Sequence, residues 1–192
     1  MTQTALINRL AAYDAAFAHE MRKLKPANIT SVITALSGGP DSSALACLAD
    51  RYSRSFGAAH HAIIINHNIR SDAAGEASRV CRRMRALAID TQIVNITEKA
   101  PVSGIQEWAR YQRFSALTER ARRKRALLLI AHHISDQAET VLMRLSHGSG
   151  IVGLIGMRPL TYHAGVPVAR PLLNWSPAAL RDVLSLLKCG HE

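Results

Sequence analysis

Residues 29–43, which decide the fold, read Ile-Thr-Ser-Val-Ile-Thr-Ala-Leu-Ser-Gly-Gly-Pro-Asp-Ser-Ser. The first part, residues 29–36, is short, apolar and rich in β-branched residues, which is typical of a strand buried on both faces. The second part places two glycines and a proline directly before a helical stretch. We therefore predict a strand, a tight loop and a helix N-terminus whose backbone N–H groups can receive an anion.

The rest of the chain alternates between apolar runs and helical stretches. Further apolar runs occupy residues 61–66, 91–96, 126–131 and 166–173. Helical stretches occupy residues 4–24, 42–54, 72–88, 103–123, 135–145 and 176–187. Because strand–helix–strand repeats form parallel sheets, we predict an α/β, doubly wound, mostly parallel five-stranded sheet with helices on both faces, Rossmann-like in layout.

Length and composition favour a single globular domain. The chain has 192 residues, of which 48% are apolar and 20% charged. We expect one domain over residues 1–192, with an N-terminal helix in 1–27, the motifs in 28–173 and a C-terminal helix in 174–192. Without an apolar run of about 18 residues or a start resembling a signal peptide, neither a membrane span nor secretion is expected.

Cysteine usage and net charge indicate a compartment and a partner. The three cysteines form no C-x-x-C motif, which argues against a disulfide framework or a metal knuckle and favours a reducing cytoplasm. The net charge of +10 indicates a polyanion such as nucleic acid, unless the surplus only aids solubility. Two predicted helices carry basic clusters suited to nucleic-acid phosphates. These are Arg79, Arg82, Arg83 and Arg85, and then Arg120, Arg122, Arg123, Lys124 and Arg125.

The loop at residues 37–43 has the chemistry of a phosphate site. Its glycines permit a sharp turn and a close approach of the backbone to an anion. Asp41 suits a Mg²⁺ ion held between a carboxylate and a phosphate, although an ordinary turn with Asp41 as the helix cap is the alternative. The loop has neither the lysine of a Walker A motif nor the spacing of G-x-G-x-x-G.

The loop resembles the S-G-G-x-D-S loop of the pyrophosphatase-type ATP enzymes, or PP-loop enzymes, which cleave ATP between the α and β phosphates. The resemblance implies an adenine nucleotide alpha hydrolase-like fold and ATP and Mg²⁺ as cofactors, with Asp41 as the metal ligand. It also implies that ATP is held by Ser37, Gly38, Gly39, Pro40, Asp41 and Ser42.

Four further motifs resemble the tRNA(Ile)-lysidine synthetases within that superfamily. I-N-H-N-I-R at 65–70 is similar to V/I-D/N-H-G-L-R, and Q-E-W-A-R-Y-Q-R-F at 106–114 is similar to Q-x-x-A-R-x-x-R-Y/F. A-H-H-I-S-D-Q-A-E-T at 131–140 resembles the family's H-H-x-D-D-Q-x-E-T. Glycines at 148–156 and R-P-L-L at 170–173 match the closing elements. The motifs occur in the family's order and cover about residues 32–173.

The resemblance implies a cytoplasmic ligase reaction with two steps. The C2 oxygen of cytidine 34 in the CAU anticodon of tRNA(Ile) attacks the α-phosphate of ATP. The ε-amine of free L-lysine then displaces AMP and leaves lysidine. The implied partners are tRNA(Ile) and free L-lysine, and no membrane is involved. The resemblance does not decide between a monomer and a homodimer.

Two pairs of charged residues fit that chemistry. Arg110 and Arg113 are three residues apart and share a helix face, where they could clamp a phosphate or a developing oxyanion. Asp136 and Glu139 have the same spacing and would face the same cleft, where they could hold or deprotonate the lysine amine. The alternatives are a solvated or RNA-binding face for the arginines and a helix-dipole role for the carboxylates.

Histidines follow two of the strands. His67 follows the second strand and is placed near ATP, and His132 is placed near the adenylate or the cytosine, with His133 beside it. A structural role at the entry to a helix is the alternative for the His132–His133 pair. Trp108 is predicted to be a core residue rather than a stacking platform.

Three residues and the length depart from the family pattern. Ser135 stands where the family has Asp, Asn68 where it has Gly and His147 where it has Arg. Asn tolerates a left-handed backbone, so we expect the turn at Asn68 to be kept. The family's C-terminal tRNA-binding domains are absent from the 192 residues. A truncated, non-catalytic ATP- or RNA-binding remnant and another tRNA-modifying PP-loop enzyme are therefore the alternative functions.

Overall fold

The computed structural model describes residues 2–24, 29–146 and 155–190. Within these ranges the chain forms six helices and six strands. In chain order they are α1 (Gln3–Lys23), β1 (Ser31–Ala35), α2 (Pro40–Ser55), β2 (Ala59–Asn66), α3 (Ala73–Ala86), β3 (Thr91–Asn95), α4 (Ile105–Arg123), β4 (Ala126–Leu129), α5 (Ile134–Ser146), β5 (Leu160–His163), β6 (Val166–Ala169) and α6 (Pro177–Leu186). His147 and the glycines at 148, 150 and 153 lie outside the described residues.

All the strands form one sheet in the order β3-β2-β1-β4-β6-β5. Every pairing is parallel except that of β5 with β6. The predicted doubly wound, mostly parallel sheet is confirmed, and each predicted helix ends within two residues of its observed ends.

The sheet has six strands rather than the predicted five because β5 and β6 form a hairpin. The two strands are joined by Ala164 and Gly165 alone, and His163 pairs with Val166. Both linking residues have positive φ, 47° and 78°. A two-residue hairpin turn of this kind usually contains Asn-Gly or Asp-Gly, so Ala-Gly is a weak signal in the sequence.

The sheet is covered on both faces by apolar packing. On one face, Val32 and Ile64 join a core cluster that α1, α2, α3 and α6 complete. On the other face, Ile33 and Leu128 pack with Leu117 of α4. Since successive side chains of a strand point to opposite faces, the continuous apolar runs supply both layers at once.

The chain reverses its direction of winding between β1 and β4, which creates a crevice. β2 and β3 are added on one side of β1, and α4 then returns across the opposite face to reach β4 on the other side. In open parallel sheets, ligands bind outside the carboxyl ends of the strands at such a switch point. The loop at residues 37–39 follows β1, and His132 follows β4, so both lie at this crevice.

Two further expectations from the sequence concern membrane-spanning segments and disulfide bonds. No helix in the described part of the chain is long and apolar enough to cross a membrane. Cys47, Cys81 and Cys189 are all free and buried.

Candidate functional site

A cavity of about 500 Å³ opens at the carboxyl ends of β1, β2 and β4. The sequence-predicted site residues that line it are Ser37, Gly39, Asp41, Ser42, His67, Arg110, Arg113, His132 and Asp136. Gly38 and Pro40 belong to the same loop. Glu139 lies outside the lining and is exposed, so Asp136 is the member of that pair that faces the cavity.

The loop after β1 is held by the hydroxyl group of Ser42. Its Oγ accepts hydrogen bonds from the backbone N–H groups of Ser37 and Gly38, each at 3.2 Å. It lies 3.1 Å from the Gly39 carbonyl oxygen, to which it donates, and 2.9 Å from Ser37 Oγ. Ser42, predicted as an ATP contact, therefore also folds the loop back on itself. Gly39 is extended and caps α2, and Pro40 occupies the first turn.

Gly38 is required at its position by both conformation and space. Its φ is +98°, and a Cβ atom there would lie 2.6 Å from Cγ2 of Val80 on α3. The Gly38 carbonyl oxygen accepts hydrogen bonds from Ser43 Oγ at 3.3 Å and from the Arg83 guanidinium at 3.4 Å. Arg83, predicted as part of a surface cluster, therefore tethers the loop to α3.

His133 lies between two of the predicted carboxylates. Its Nε2 lies 3.5 Å from Asp41 Oδ2, and its Nδ1 lies 3.3 Å from Asp136 Oδ2. Nδ1 accepts a hydrogen bond from the backbone N–H of Ser135 at 3.2 Å, which in the neutral ring leaves the proton on Nε2, facing Asp41. Asp136 also accepts from the His133 backbone N–H at 2.8 Å. The His133 side chain, which is held at the start of α5, therefore orients the Asp41 carboxylate.

Three arginines lie at or next to the cavity: Arg110 and Arg113 line it, and Arg170 contacts the lining residue His132. Arg170, from the predicted R-P-L-L motif, donates from Nε to His132 Nδ1 at 3.2 Å. Desolvation, and after it the charge of Arg170, lowers the pKa of His132. Desolvation and the charge of Arg110 lower the pKa of both Arg113 and Arg170. None of these three arginines forms an ion pair with a described residue, and such a group of like charges favours an anionic ligand.

His67 and Trp108 lie together at the rim of the cavity. Their ring centroids are 6.1 Å apart, and Trp108 is half-buried. The prediction that Trp108 is a core residue is wrong, because α4 carries it toward the cavity end of the sheet. His67 Nδ1 is buried without a hydrogen-bond partner among the described residues. Desolvation and the charge of Arg113 lower the pKa of His67, so its ring is neutral near pH 7.

A network of asparagines holds the turn after β2. Asn66 Nδ2 donates to Asn68 Oδ1 at 2.8 Å and to Asn95 Oδ1 at 2.9 Å. Asn68 has a φ of 53° and donates from Nδ2 to the Ile96 carbonyl oxygen at 3.0 Å. The expectation that Asn68 keeps a left-handed turn is confirmed, and the turn places His67 at the cavity.

The two basic clusters lie on helices that cover opposite faces of the sheet, α3 and α4. The cluster at 120–125 ends α4 and precedes β4, so it lies at the amino-end edge of the sheet, opposite the cavity. There, Arg122 and Arg123 both pair with Glu119. On α3, Arg85 donates to the Thr91 carbonyl oxygen at 2.8 and 3.1 Å, which stabilises the connection to β3.

These features define a nucleotide-binding α/β domain in which a glycine-rich loop between β1 and α2 faces a group of arginines. The chain belongs to the PP-loop domain family, whose model matches residues 13–192.

Curated relatives that this chain matches include tRNA(Ile)-lysidine synthases. The chain is 39% identical to that of Bradyrhizobium diazoefficiens over 163 residues, covering 83% of this chain and 45% of the relative. It is 40% identical to that of Rhodopseudomonas palustris over 158 residues, covering 81% and 46%. The chain thus spans about half the length of the curated relatives it matches.

Solved structures support the fold. The U34-tRNA thiolase NcsA of Methanococcus maripaludis, with its 4Fe-4S cluster, has a TM-score of 0.67 at 20% identity, covering 92% of this chain and 63% of that one. The NH3-dependent NAD synthetase of Campylobacter jejuni has a TM-score of 0.58 at 16% identity, covering 98% and 75%. The fold is therefore shared with proteins other than the lysidine synthases.

Proposed function

We propose that this chain provides the ATP-dependent catalytic domain of lysidine formation on cytidine 34 of tRNA(Ile). The observation that carries the proposal is the Asp41–His133–Asp136 arrangement beside the phosphate loop, facing the arginines of α4. Its residues come from the phosphate loop and from two of the motifs that resemble the lysidine synthetases, at 106–114 and 131–140. The names of the relatives favour the same reaction.

The first step is adenylation of the cytidine. Its C2 oxygen bonds to the α-phosphorus of ATP while the bond to the bridging oxygen of the β-phosphate breaks, and pyrophosphate leaves. The backbone N–H groups of Gly39, Asp41 and Ser42, at the positive end of α2, would hold the pyrophosphate, since those of Ser37 and Gly38 are donated to Ser42 Oγ. Arg110 and Arg113 would neutralise charge on the α-phosphate.

Asp41 fits a magnesium ion shared with the nucleotide. The Asp41 side chain lines the cavity and is 34% exposed, and the His133 ring lies next to its carboxylate. The described residues contain no cluster of three or more His, Cys, Asp or Glu that would hold a metal alone. Mg²⁺ commonly takes one or two carboxylates and completes its shell with substrate phosphates and water, and it supplies charge neutralisation at the phosphates.

The second step is attack of the lysine amine on C2 of the adenylated base, with AMP as the leaving group. Lysine must lose a proton before it can attack. Asp136 lies at the cavity and could take this proton or hold the ammonium group. Glu139, one turn along α5 and exposed, would guide the free lysine from the outside.

The test uses α-labelled ATP, a tRNA(Ile) transcript with a CAU anticodon and labelled lysine. We expect tRNA-dependent formation of adenylated RNA and transfer of lysine. Asp41→Asn should slow adenylation by about 100-fold, because the carboxylate that shares the metal is lost. Glu98→Gln, which changes an exposed carboxylate outside the cavity, should leave the rate unchanged.

The two alternative functions differ in what would support them. Binding of ATP·Mg²⁺ in calorimetry without adenylation or lysine transfer would reject the catalytic proposal and establish a nucleotide-binding domain without turnover. Cys47, Cys81 and Cys189 are buried and none lines the cavity, so their positions do not favour a thiolation reaction.

A further inference from the structure

A second cavity, of about 320 Å³, lies between α4 and the β5–β6 hairpin. It is within the size range of small-ligand sites. Its lining includes Tyr111, Phe114, Tyr162 and His163, together with the side chains of two arginines, Arg110 and Arg170. None of these aromatic residues has a role in the proposed adenylation.

The aromatic residues are concentrated and open to solvent. The chain has only 3 Phe, 2 Trp and 4 Tyr residues, yet one Phe and two Tyr line this cavity. Tyr111 is 69% exposed and Tyr162 is 64% exposed. Since neither ring contributes to the core, their exposure around one cavity indicates a ligand that presents a flat surface.

The cavity is also cationic. The Arg110 guanidinium lies over the Phe114 ring, 5.9 Å from its centroid, and the Phe114 and His163 rings are 5.5 Å apart. Arg170 lies at the other wall, where its Nη1 donates to Thr161 Oγ1 at 3.0 Å. Stacked rings next to positive charge are the combination with which proteins bind single-stranded nucleic acid.

The second cavity adjoins the first. Arg110 and Phe114 line both. Arg170 contacts His132 of the first cavity through Nε and β5 of the second through Nη1. A polymer with one unit in the first cavity can therefore place its neighbouring unit in the second.

We propose that the second cavity binds an unpaired base of the RNA, adjacent to the base that reacts in the first cavity. The base stacks on Tyr111 or Tyr162, and Arg110 lies between the two sites, where the linking phosphate passes. Glu107, also in the lining, can accept a hydrogen bond from an exocyclic amine of the base. This inference rests on the proposed function, because it takes RNA as the substrate.

The experiment uses an anticodon stem-loop of tRNA(Ile) in which 2-aminopurine replaces adenosine 35. Stacking on an aromatic ring quenches the fluorescence of 2-aminopurine. We expect quenching by the full chain at low salt, and a loss of quenching with about tenfold weaker RNA binding in Tyr111→Ala/Tyr162→Ala. Tyr111→Phe/Tyr162→Phe should restore both, because the rings remain.

Two controls separate local effects from general ones. Phe56→Ala removes an exposed aromatic residue at the far end of α2 and should change neither quenching nor RNA affinity. The affinity for ATP·Mg²⁺ should be the same in all variants, since Tyr111 and Tyr162 do not line the first cavity.

The outcomes distinguish this inference from the proposed function. If the wild-type chain adenylates RNA but does not quench the probe, or if the double alanine variant still quenches it, the second cavity is not a base-binding site and the proposed function stands. If the wild-type chain neither adenylates nor binds the stem-loop, both proposals fail.

Discussion

At the scale of single residues, the phosphate loop depends on one backbone conformation and one shared hydroxyl group. Gly38 takes a φ that L-residues rarely adopt, and Val80 occupies the space where a side chain would be. Ser42 accepts two backbone N–H groups and so folds the loop. With Gly38 turned in this way, the loop and the start of α2 lie at the mouth of the cavity.

We predict that Gly38→Ala destabilises the fold by about 1–3 kcal/mol and weakens ATP binding at least tenfold, because the new methyl group would displace α3 or the loop. Gly57→Ala is the matched control: its φ is +66°, but nothing lies within 4 Å of the added Cβ atom. Chemical denaturation and ATP titration of both variants measure the effect. Adding Val80→Ala to Gly38→Ala should recover part of the ATP affinity, and equal losses in the two glycine variants would show that the contact with Val80 is unimportant.

At the scale of elements, α4 has two ends with different roles. Its first half carries Arg110 and Arg113 to the cavity, and its second half packs on the sheet through Leu117 and Ala121. The basic residues that follow are at the opposite edge, where Glu119 neutralises part of their charge. Proximity along one helix therefore does not place these arginines at one site, since the 19 residues of α4 span about 28 Å.

We predict that the two ends of α4 differ in their effect on RNA binding. Arg110→Gln/Arg113→Gln should weaken binding of the anticodon stem-loop more than tenfold, because two unpaired cations at the cavity are lost. Arg122→Gln/Arg123→Gln removes the same charge and should change the affinity less than threefold. Fluorescence anisotropy at a fixed salt concentration makes the comparison, and equal losses would indicate a general cationic surface instead.

At the scale of the whole molecule, the ligand site and the stability of the fold are coupled through two half-buried histidines, His67 and His132. Desolvation and neighbouring arginines lower the pKa of both His67 and His132 in the folded chain. For His132 the neighbouring charges are Arg110, Arg113 and Arg170, opposed by Asp136. The site therefore favours the neutral form of both rings, and a bound polyphosphate would oppose this lowering of their pKa values.

We predict that the free energy of unfolding falls as the pH is lowered below about 6.5, the usual pKa of histidine. The unfolded chain protonates His67 and His132 at a higher pH than the folded chain does, so it binds more protons there and gains stability relative to the folded state. Urea denaturation between pH 7 and pH 5 measures the slope. His67→Gln/His132→Gln should flatten it, and an unchanged slope would assign the effect to other groups.

Much of the architecture could be predicted because its signals are local. Apolar runs of six to eight residues, separated by helical stretches, predict buried parallel strands, and all six helices were placed within two residues. The β5 strand was missed because its turn, Ala164-Gly165, has little of the usual hairpin chemistry. Trp108 was wrongly predicted to be a core residue because the apolar periodicity of α4 does not show which end of the helix extends beyond the core.

The sequence by itself determined the order of the elements, the phosphate loop after β1 and the family, since each of these depends on residues that are neighbours in the chain. The tertiary structure decided which distant side chains meet. His133 lies between Asp41 and Asp136, and Arg170 contacts His132 from 38 residues away. Such contacts depend on strand register and on the packing of α4 across the sheet, which no local pattern encodes. The second cavity exists for the same reason, because a strand missing from the sequence prediction forms one of its walls.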